Sequence, residues 1–396
     1  MKDEKSRIVI IGAGSTGSSV AYYLAGRTNS EIILIDKKGI GAGMTGFSTA
    51  IVRTHYSNKI VAQMALESRD ILSKFQNVGD SGFVREGIIT ITDSELAQRC
   101  LENTEMLSGL GINEKLYKPQ EATQIFPNIN FDDATVVSYE PDSGYADPVT
   151  TANSFAKKAM ELGTSFIRDN VIKIIKKGNR ATSIATESGK LINMDKLILC
   201  TNVWTNHLLE QSGIGKNDLL PIKVSPHPVI MYRRSEALFG KQPIVNDLIN
   251  RDYYKPEGDV LLSGGNLREE MDEITVDPDN FNENVPMDYI AEYSERIVSR
   301  LPLMRDAKLQ GAYYGMYDNT PDEHPIVDRL ESIGLSNVFS VVGLSGHGFK
   351  LAPSLGKMTA DMVTEQYNEY LNYFKLTRFR DKTSIFKKYK GLGTVA

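Results

Sequence analysis

A glycine-rich turn between two apolar runs near the start of the chain constrains the fold more than any other feature. Residues 8–11 are apolar and lead into residues 12–17, which have the spacing Gly-x-Gly-x-x-Gly. A helical stretch follows, and a second apolar run at 32–35 ends at Asp36. In this pattern the glycines permit a tight turn, close approach of the backbone to a pyrophosphate, and close packing of the helix on the strand. The sequence therefore predicts a βαβ unit that binds a dinucleotide.

The chemistry of a dinucleotide assigns roles to this segment. Backbone N–H groups and the positive end of the helix dipole suit the phosphates, and Asp36 can accept a hydrogen bond from a ribose hydroxyl. NAD and FAD present the same groups to such a loop, so the motif alone leaves both cofactors open. The expected cofactor contacts in this part of the chain are Gly12, Ala13, Gly14, Ser15, Thr16, Gly17, Asp36, Lys37, Ser48 and Thr49.

Composition excludes several classes of partner. The chain of 396 residues has a net charge of −5, whereas nucleic-acid and anionic-membrane binding require a concentrated basic surface. Two cysteines, Cys100 and Cys200, are too few for a disulfide framework or a thiolate metal cluster. No apolar run is long enough to span a membrane. We therefore expect a soluble, cytoplasmic protein with a small-molecule ligand, and neither a metal nor nucleic acid.

A second glycine-rich segment at 343–350 follows an apolar run and precedes a helix predicted from about Pro353. Two such units at opposite ends of the chain favour an α/β fold, α+β overall, in which a Rossmann-like nucleotide domain is built from discontinuous segments. A strand-rich substrate domain is inserted, and the acidic stretch 269–283 is expected to be a solvated loop. The predicted boundaries are 1–80, 145–215 and 320–370 for the nucleotide domain, 81–144 and 216–319 for the substrate domain, and 371–396 for a C-terminal tail.

The motifs of the chain, taken in order, resemble a known family. They are the glycine motif with Asp36, TAIVRTHY at 49–56, DSGYADP at 142–148, Trp204, MYDNTPDEHP at 316–325 and GLSGHGFK at 343–350. The same order is seen in FAD-dependent amino-acid oxidoreductases of the D-amino-acid oxidase group, and the sequence is most similar to the sarcosine oxidase branch. The resemblance implies a two-domain enzyme that uses FAD to oxidise an amine carbon next to a carboxylate-bearing group.

The resemblance also implies site residues. Arg53 and Lys350 match the basic residues that bind the substrate carboxylate, which suits a bidentate guanidinium and an ammonium point charge. Tyr254 and Tyr317 match aromatic residues of the pocket, and His347 is expected to contact flavin or substrate. Backbone donors at a helix N-terminus would favour the negative charge of reduced flavin. The implied cofactor contacts of the second loop are Gly343, Gly346, His347, Gly348, Phe349 and Lys350.

Two departures from the family pattern carry predictions. Gly315 occupies the position of the cysteine that binds flavin covalently in monomeric sarcosine oxidases, and the loop 43–48 has no histidine, so FAD is expected to be non-covalent. Leu262 aligns with the lysine that assists electron transfer to oxygen in those oxidases. A cation beside flavin stabilises superoxide, so its replacement favours a dehydrogenase, with O2 or another carrier as the electron acceptor.

We expect FAD-dependent oxidation of an N-methyl amino acid, a cyclic imino acid or a D-amino acid. A hydride would pass from the amine carbon to flavin N5 and leave an imine, which water hydrolyses. One alternative is an NAD-dependent dehydrogenase, which leaves the segment 343–350 unexplained. Another is a non-catalytic flavin-bearing protein that positions a partner subunit.

Overall fold

Helices and strands alternate along most of the chain in the computed structural model, which describes residues 5–265 and 274–386. The helices are α1 Ser15–Ala25, α2 Lys59–Ser73, α3 Ala97–Gly109, α4 Pro119–Ile125, α5 Pro148–Glu161, α6 Thr205–Gln211, α7 Met287–Arg300 and α8 Gly348–Val363. The strands are β1 Arg7–Ile11, β2 Glu31–Asp36, β3 Ile51–Val52, β4 Ile88–Thr92, β5 Lys115–Tyr117, β6 Val136–Glu140, β7 Gly144–Tyr145, β8 Ser165–Arg168, β9 Val171–Lys177, β10 Arg180–Thr186, β11 Leu191–Asn193, β12 Lys196–Leu199, β13 Lys223–Arg233, β14 Ile244–Asp247, β15 Asp252–Glu257, β16 Val260–Gly265, β17 Lys308–Asn319, β18 Ile326–Arg329 and β19 Val338–Val342.

The first glycine motif follows the carboxyl end of β1, a central strand of a six-stranded sheet with the order β18-β19-β12-β1-β2-β8. Strands β19, β12, β1, β2 and β8 are parallel, and β18 is antiparallel to β19. Both faces of this sheet are covered, which explains why β1 is an unbroken apolar run. Ile8 and Ile10 pack toward α1 and α8, whereas Val9 and Ile11 pack on the side of β9, β10 and α6. The predicted Rossmann-like fold is confirmed, with strands from distant parts of the chain.

Close contact between α1 and α8 joins the two ends of the chain. Gly356 of α8 lies so near to Ser19 of α1 that a Cβ atom there would be 2.2 Å from the Ser19 hydroxyl oxygen and 2.8 Å from its carbonyl carbon. Gly17 similarly has no room for a side chain, because a Cβ atom would be 1.8 Å from the carbonyl oxygen of Gly12. The Gly17 contact holds the first turn of α1 against the loop after β1, and the Gly356 contact holds the middle of α8 against α1.

An eight-stranded sheet forms the second layer of the molecule, in the order β17-β13-β16-β15-β14-β4-β6-β5. Its pairs are antiparallel except for β14 and β4, which are parallel. One face packs against α7, where Tyr254 and Val245 join a core with Tyr293 and Ile297. The opposite face is turned toward the six-stranded sheet. The strand-rich part of the prediction is therefore present, and it lies against the nucleotide-binding part.

Three details differ from the sequence-based expectation. Helix α8 begins at Gly348, so Pro353 lies inside it and not in its first turn. In the acidic stretch, Val276 and Phe281 pack with Trp204 and other apolar side chains, so this part is not simply solvated. Residues 269–273 of that stretch lie outside the described residues. The predicted tail is also packed as far as it is described, with Phe374 and Phe386 in the core.

The tight contact at Gly356 predicts that Gly356→Ala destabilises the protein by about 1–3 kcal/mol, because the added methyl group forces the two helices apart. Urea unfolding followed by circular dichroism measures this change. Gly109→Ala is the matched control, since Gly109 also lies in a helix but a Cβ atom there has nothing within 4 Å. Equal stabilities for the two variants would contradict the proposed role of the contact.

Candidate active site

A continuous cavity runs between the two sheets and is lined by both glycine loops. One wall comes from the carboxyl ends of the parallel strands, where cofactors bind in open α/β sheets. The other comes from the free face of the eight-stranded sheet. The predicted site residues that line this cavity are Gly12, Gly14, Ser15, Thr16, Gly17, Asp36, Lys37, Ser48, Thr49, Arg53, Tyr317, Gly346, Gly348, Phe349 and Lys350.

Three other predicted residues lie directly behind the cavity wall and hold its loops. The N–H of Ala13 donates to the Asp36 carboxylate at 2.9 Å, and the N–H of Gly343 donates to Asp318 at 2.6 Å. The imidazole of His347 is buried, with its Nδ1 2.9 Å from the hydroxyl of Tyr56. Burial keeps the pKa of His347 well below its usual value, so the ring is neutral.

The placement of Tyr254 in the pocket is wrong. Its side chain is 1% exposed and packs toward α7, on the far face of the eight-stranded sheet. Tyr253 lines the cavity instead, because adjacent residues of a strand point to opposite faces. A shift of one residue in an aromatic pair therefore decides which tyrosine faces the ligand.

The first glycine loop offers bare backbone to a ligand. Gly14 immediately precedes α1 and provides no side-chain cap for its N-terminus. A Cβ atom at Gly14 would lie 2.8 Å from the hydroxyl of Thr45, which accepts a hydrogen bond from the Ser15 N–H at 3.0 Å. Asp36 lines the cavity while also accepting from the N–H groups of Lys38 and Gly39. This crowded cradle fits a pyrophosphate against the helix N-terminus.

The second glycine loop is held by a buried carboxylate that the sequence analysis did not identify. Asp318 accepts hydrogen bonds from the N–H groups of Gly343 and Leu344 and from the side-chain amide of Asn202, at 2.6, 3.0 and 2.9 Å. Burial raises the pKa of Asp318 to about 7, while the backbone hydrogen bonds act in the opposite direction. Asp318 thereby fixes the loop that leads into α8, whose first residue, Gly348, lines the cavity.

Two cationic side chains lie together in the cavity wall. Arg53 is 6% exposed, its guanidinium carbon lies 4.2 Å from the ring centroid of Tyr56, and it donates to the carbonyl of His55. The Lys350 ammonium lies 3.3 Å from the carbonyl of Gly346. Burial, together with the charge of Arg53, lowers the pKa of Lys350 to about 7. The cavity wall therefore places the Arg53 guanidinium beside a lysine that is only partly protonated near neutral pH.

The loop that carries Arg53 is anchored to the eight-stranded sheet through Glu140. One carboxylate oxygen of Glu140 accepts from the N–H groups of Thr54 and His55, at 2.6 and 3.1 Å, and from the hydroxyl of Ser143 at 2.8 Å. The Thr54 hydroxyl donates to the same oxygen. Glu140 is 2% exposed, so these hydrogen bonds compensate for its burial. The position of Arg53 thus depends on a contact with the second sheet.

Neutral polar and aromatic side chains from the second sheet complete this part of the cavity. The ring of His227 stacks on Tyr317 with a centroid distance of 3.8 Å, and its Nε2 is 2.9 Å from the hydroxyl of Ser225. Burial lowers the pKa of His227 to about 3, so the ring is uncharged. Asn246 and Tyr253 also line the cavity. His227, Asn246 and Tyr253 were not predicted from the sequence, although the alternation of side chains along their strands was an available signal.

The positions connected with covalent attachment and oxygen reactivity are also visible. Gly315 lines the cavity, as does Cys200, whose thiol pKa burial raises to about 12, so the thiol is not a reactive thiolate. Leu262 of β16 is 8% exposed and points to the same face of the sheet as Tyr253, but it is not among the residues that line the cavity. Its partner in register on β15 is Lys255, whose ammonium pairs with Glu257 at 2.7 Å.

The outer end of the cavity is bordered by Asp279 from the acidic stretch. Its carboxylate accepts from the Lys37 ammonium at 3.0 Å and from the Trp204 indole N–H at 2.9 Å. Burial alone would raise the pKa of Asp279, but these two donors outweigh it and lower the pKa. Asp279 therefore ties the acidic stretch to Lys37 and Trp204 beside the cavity.

Within residues 5–265 and 274–386, no group of three His, Cys, Asp or Glu side chains is placed to hold a metal ion. The helices of this part of the chain include none with the length and apolarity needed to cross a membrane.

Comparison with known proteins places these features in a family. Over 404 residues, N-methyl-L-tryptophan oxidase from Shigella flexneri is 26% identical, with 95% of this chain and 100% of that protein covered. For 4-methylaminobutanoate oxidase (formaldehyde-forming) from Paenarthrobacter nicotinovorans the identity is 23%, and the match covers 90% of this chain but only 43% of that longer protein. The crystal structure of L-proline dehydrogenase from P. horikoshii superposes with a TM-score of 0.86 at 25% identity, covering 96% of this chain and 99% of that one.

The family model for DAO, described as FAD dependent oxidoreductase, matches residues 7–362. This range includes both glycine loops and both cationic side chains. The bare glycine cradle, the two helix N-termini and Asp36 fit the dinucleotide that such enzymes bind. The chain therefore belongs to the DAO family of FAD-dependent oxidoreductases.

Proposed function

We propose that the protein oxidises the amine of an amino acid to an imine, with non-covalently bound FAD as the oxidant. The observation that carries this proposal is the position of Arg53, which is buried, and Lys350, which is partly buried, in the cavity that both glycine loops line. Candidate substrates are an N-methyl amino acid, a cyclic imino acid or a D-amino acid. The similar proteins are named for action on N-methyl-L-tryptophan, 4-methylaminobutanoate and L-proline, and these names support this class of substrate.

The two cations supply the binding site for the substrate carboxylate. Burying positive charge is costly unless an anion or hydrogen bonds compensate for the lost hydration. A carboxylate between Arg53 and Lys350 supplies that compensation and would raise the pKa of Lys350 from about 7, so that the ammonium stays charged in the complex. Fixing the carboxylate orients the adjacent amine carbon, and such positioning contributes several kcal/mol to catalysis.

The same charges favour the reactive form of the substrate amine. Nearby cations lower the pKa of an ammonium group, so Arg53 and Lys350 promote loss of its proton. FAD held by the two glycine loops would supply the hydride acceptor, and loss of a hydride from the amine carbon would leave the imine as the nitrogen lone pair forms the C=N bond. Water then hydrolyses the imine, and no protein base is required for the oxidation itself.

The sequence raised two alternatives, an NAD-dependent dehydrogenase and a non-catalytic flavin protein. NAD as the cofactor is set aside because the family is FAD-dependent. A non-catalytic flavin protein would have no need for the two cations in the cavity. It predicts that no amino acid reduces the bound flavin under anaerobic conditions.

Arg53→Ala and Lys350→Ala are each expected to slow anaerobic flavin reduction by an amino acid by about tenfold or more. The corresponding amine without a carboxylate should be affected much less, because it does not use the charge-assisted contacts. Stopped-flow absorbance of the flavin band measures both rates. Arg27→Ala is the control, since Arg27 pairs with Asp361 on the outside of the helix pair.

Equal losses for the amino acid and the amine would contradict the carboxylate assignment and indicate a role in flavin binding. Absence of flavin reduction by any amino acid would contradict the proposed function itself.

Reduced enzyme is expected to react slowly with oxygen and rapidly with an artificial electron acceptor. The reason is that neutral Leu262 cannot stabilise superoxide, whereas a lysine in a low-dielectric site can. Stopped-flow mixing of the reduced enzyme with oxygenated buffer measures the rate, and Leu262→Lys should increase it. Equally fast reoxidation by oxygen would show that another cation serves this role and that the enzyme is an oxidase.

A further inference from the structure

The part of the cavity beside the two cations has a wall of aliphatic side chains that the carboxylate site does not explain. This apolar wall consists of Ile51, Ile88, Val229 and Ile244, all of which line the cavity. Ile88 and Ile244 are 1% and 0% exposed and are direct partners in register on the parallel strands β4 and β14. Ile88 and Ile244 therefore present adjacent branched side chains on the cavity face of the second sheet, and Val229 on β13 and Ile51 on β3 add to the wall from other strands.

The connections of the chain place this wall next to Arg53. Ile51 precedes Arg53 by two residues. On β6, the partner of Ile88 in register is Glu140, whose carboxylate holds the N–H groups of Thr54 and His55. The strand that carries Ile88 is thus linked through a single side chain to the loop that carries Arg53.

The charge of Glu140 does not make this wall acidic. Its carboxylate is directed at the loop of residues 54–55 and is absent from the residues lining the cavity. The polar residues of β14 and β15 that line the cavity are Asn246 and Tyr253, which are partners in register. Asn246 is uncharged, and the Tyr253 phenol is uncharged at neutral pH because burial raises its pKa well above the usual value. Lys255 of β15 does not line the cavity, and its ammonium pairs with Glu257.

We infer that the apolar wall is the subsite for the side chain of the substrate, and that this side chain is an aliphatic group or ring without charge. Each methylene group transferred from water to the wall adds favourable free energy, whereas a charged side chain would lose its hydration without a partner. The inference rests on the proposed function, since it takes Arg53 and Lys350 as the site of the carboxylate. It narrows the substrate from any amino acid to one with a compact apolar body.

Carboxylates that lack an amine test this inference without turnover. The holoenzyme is titrated with isovalerate, cyclopentanecarboxylate and succinate, and binding is followed by the perturbation of the flavin spectrum. We expect the two apolar ligands to bind about tenfold more tightly than succinate, whose second carboxylate would face the wall. Ile244→Asn should reduce this ratio to about threefold or less, and Ile244→Val should retain it.

Succinate binding as tightly as isovalerate to the unmodified enzyme would overturn the inference. So would an equal change in the affinities of all three ligands in Ile244→Asn, because the wall would then face the flavin and not the side chain. The comparison in the unmodified enzyme holds even if Ile244→Asn does not fold. A preference for apolar ligands without flavin reduction by any amino acid would overturn the proposed function instead.

Discussion

The candidate active site depends on two positively charged side chains that line the same cavity between the sheets. Arg53 and Lys350 come from opposite ends of the chain, and each raises the cost of keeping the other charged away from water. The low pKa of Lys350 expresses this cost. In the proposed function, the substrate carboxylate relieves this cost when it enters the cavity, and the same charges favour the neutral form of the substrate amine.

Two buried acidic side chains of the second sheet make this arrangement rigid. Glu140 fixes the loop of Arg53, and Asp318, which lines the cavity, fixes the loop that leads to Lys350. In both cases a carboxylate from the second sheet accepts from backbone N–H groups of the nucleotide-binding part. Such groups would otherwise be buried without partners. The two layers are therefore joined where the substrate and cofactor meet, and the cations occupy defined positions.

The local features of this site were predictable from sequence, whereas its long-range contacts were not. The spacing of residues 12–17 reflects the backbone geometry of a phosphate site, and family motifs identified Arg53 and Lys350. Tyr254 was misplaced because strand alternation reverses with a shift of one residue, and the structure puts Tyr253 in the cavity. Asp318 and Glu140 escaped notice since their partners are distant in sequence. The start of α8 was missed because Pro353 was taken for its first turn.

The proposal that Arg53 and Lys350 bind the substrate carboxylate can be tested by measuring the affinity of a simple carboxylate for the holoenzyme as a function of pH. Lys350, with a pKa of about 7 in the free site, must take up a proton to pair with the ligand at higher pH. The dissociation constant of isovalerate should therefore be nearly constant between about pH 5.5 and about pH 6.5, where the ligand is ionised and Lys350 is protonated, and should rise above about pH 7 toward the value for Lys350→Met. Lys350→Met should bind more weakly and lose this dependence. A dissociation constant that does not change between about pH 6 and about pH 9 in the unmodified enzyme would contradict the account.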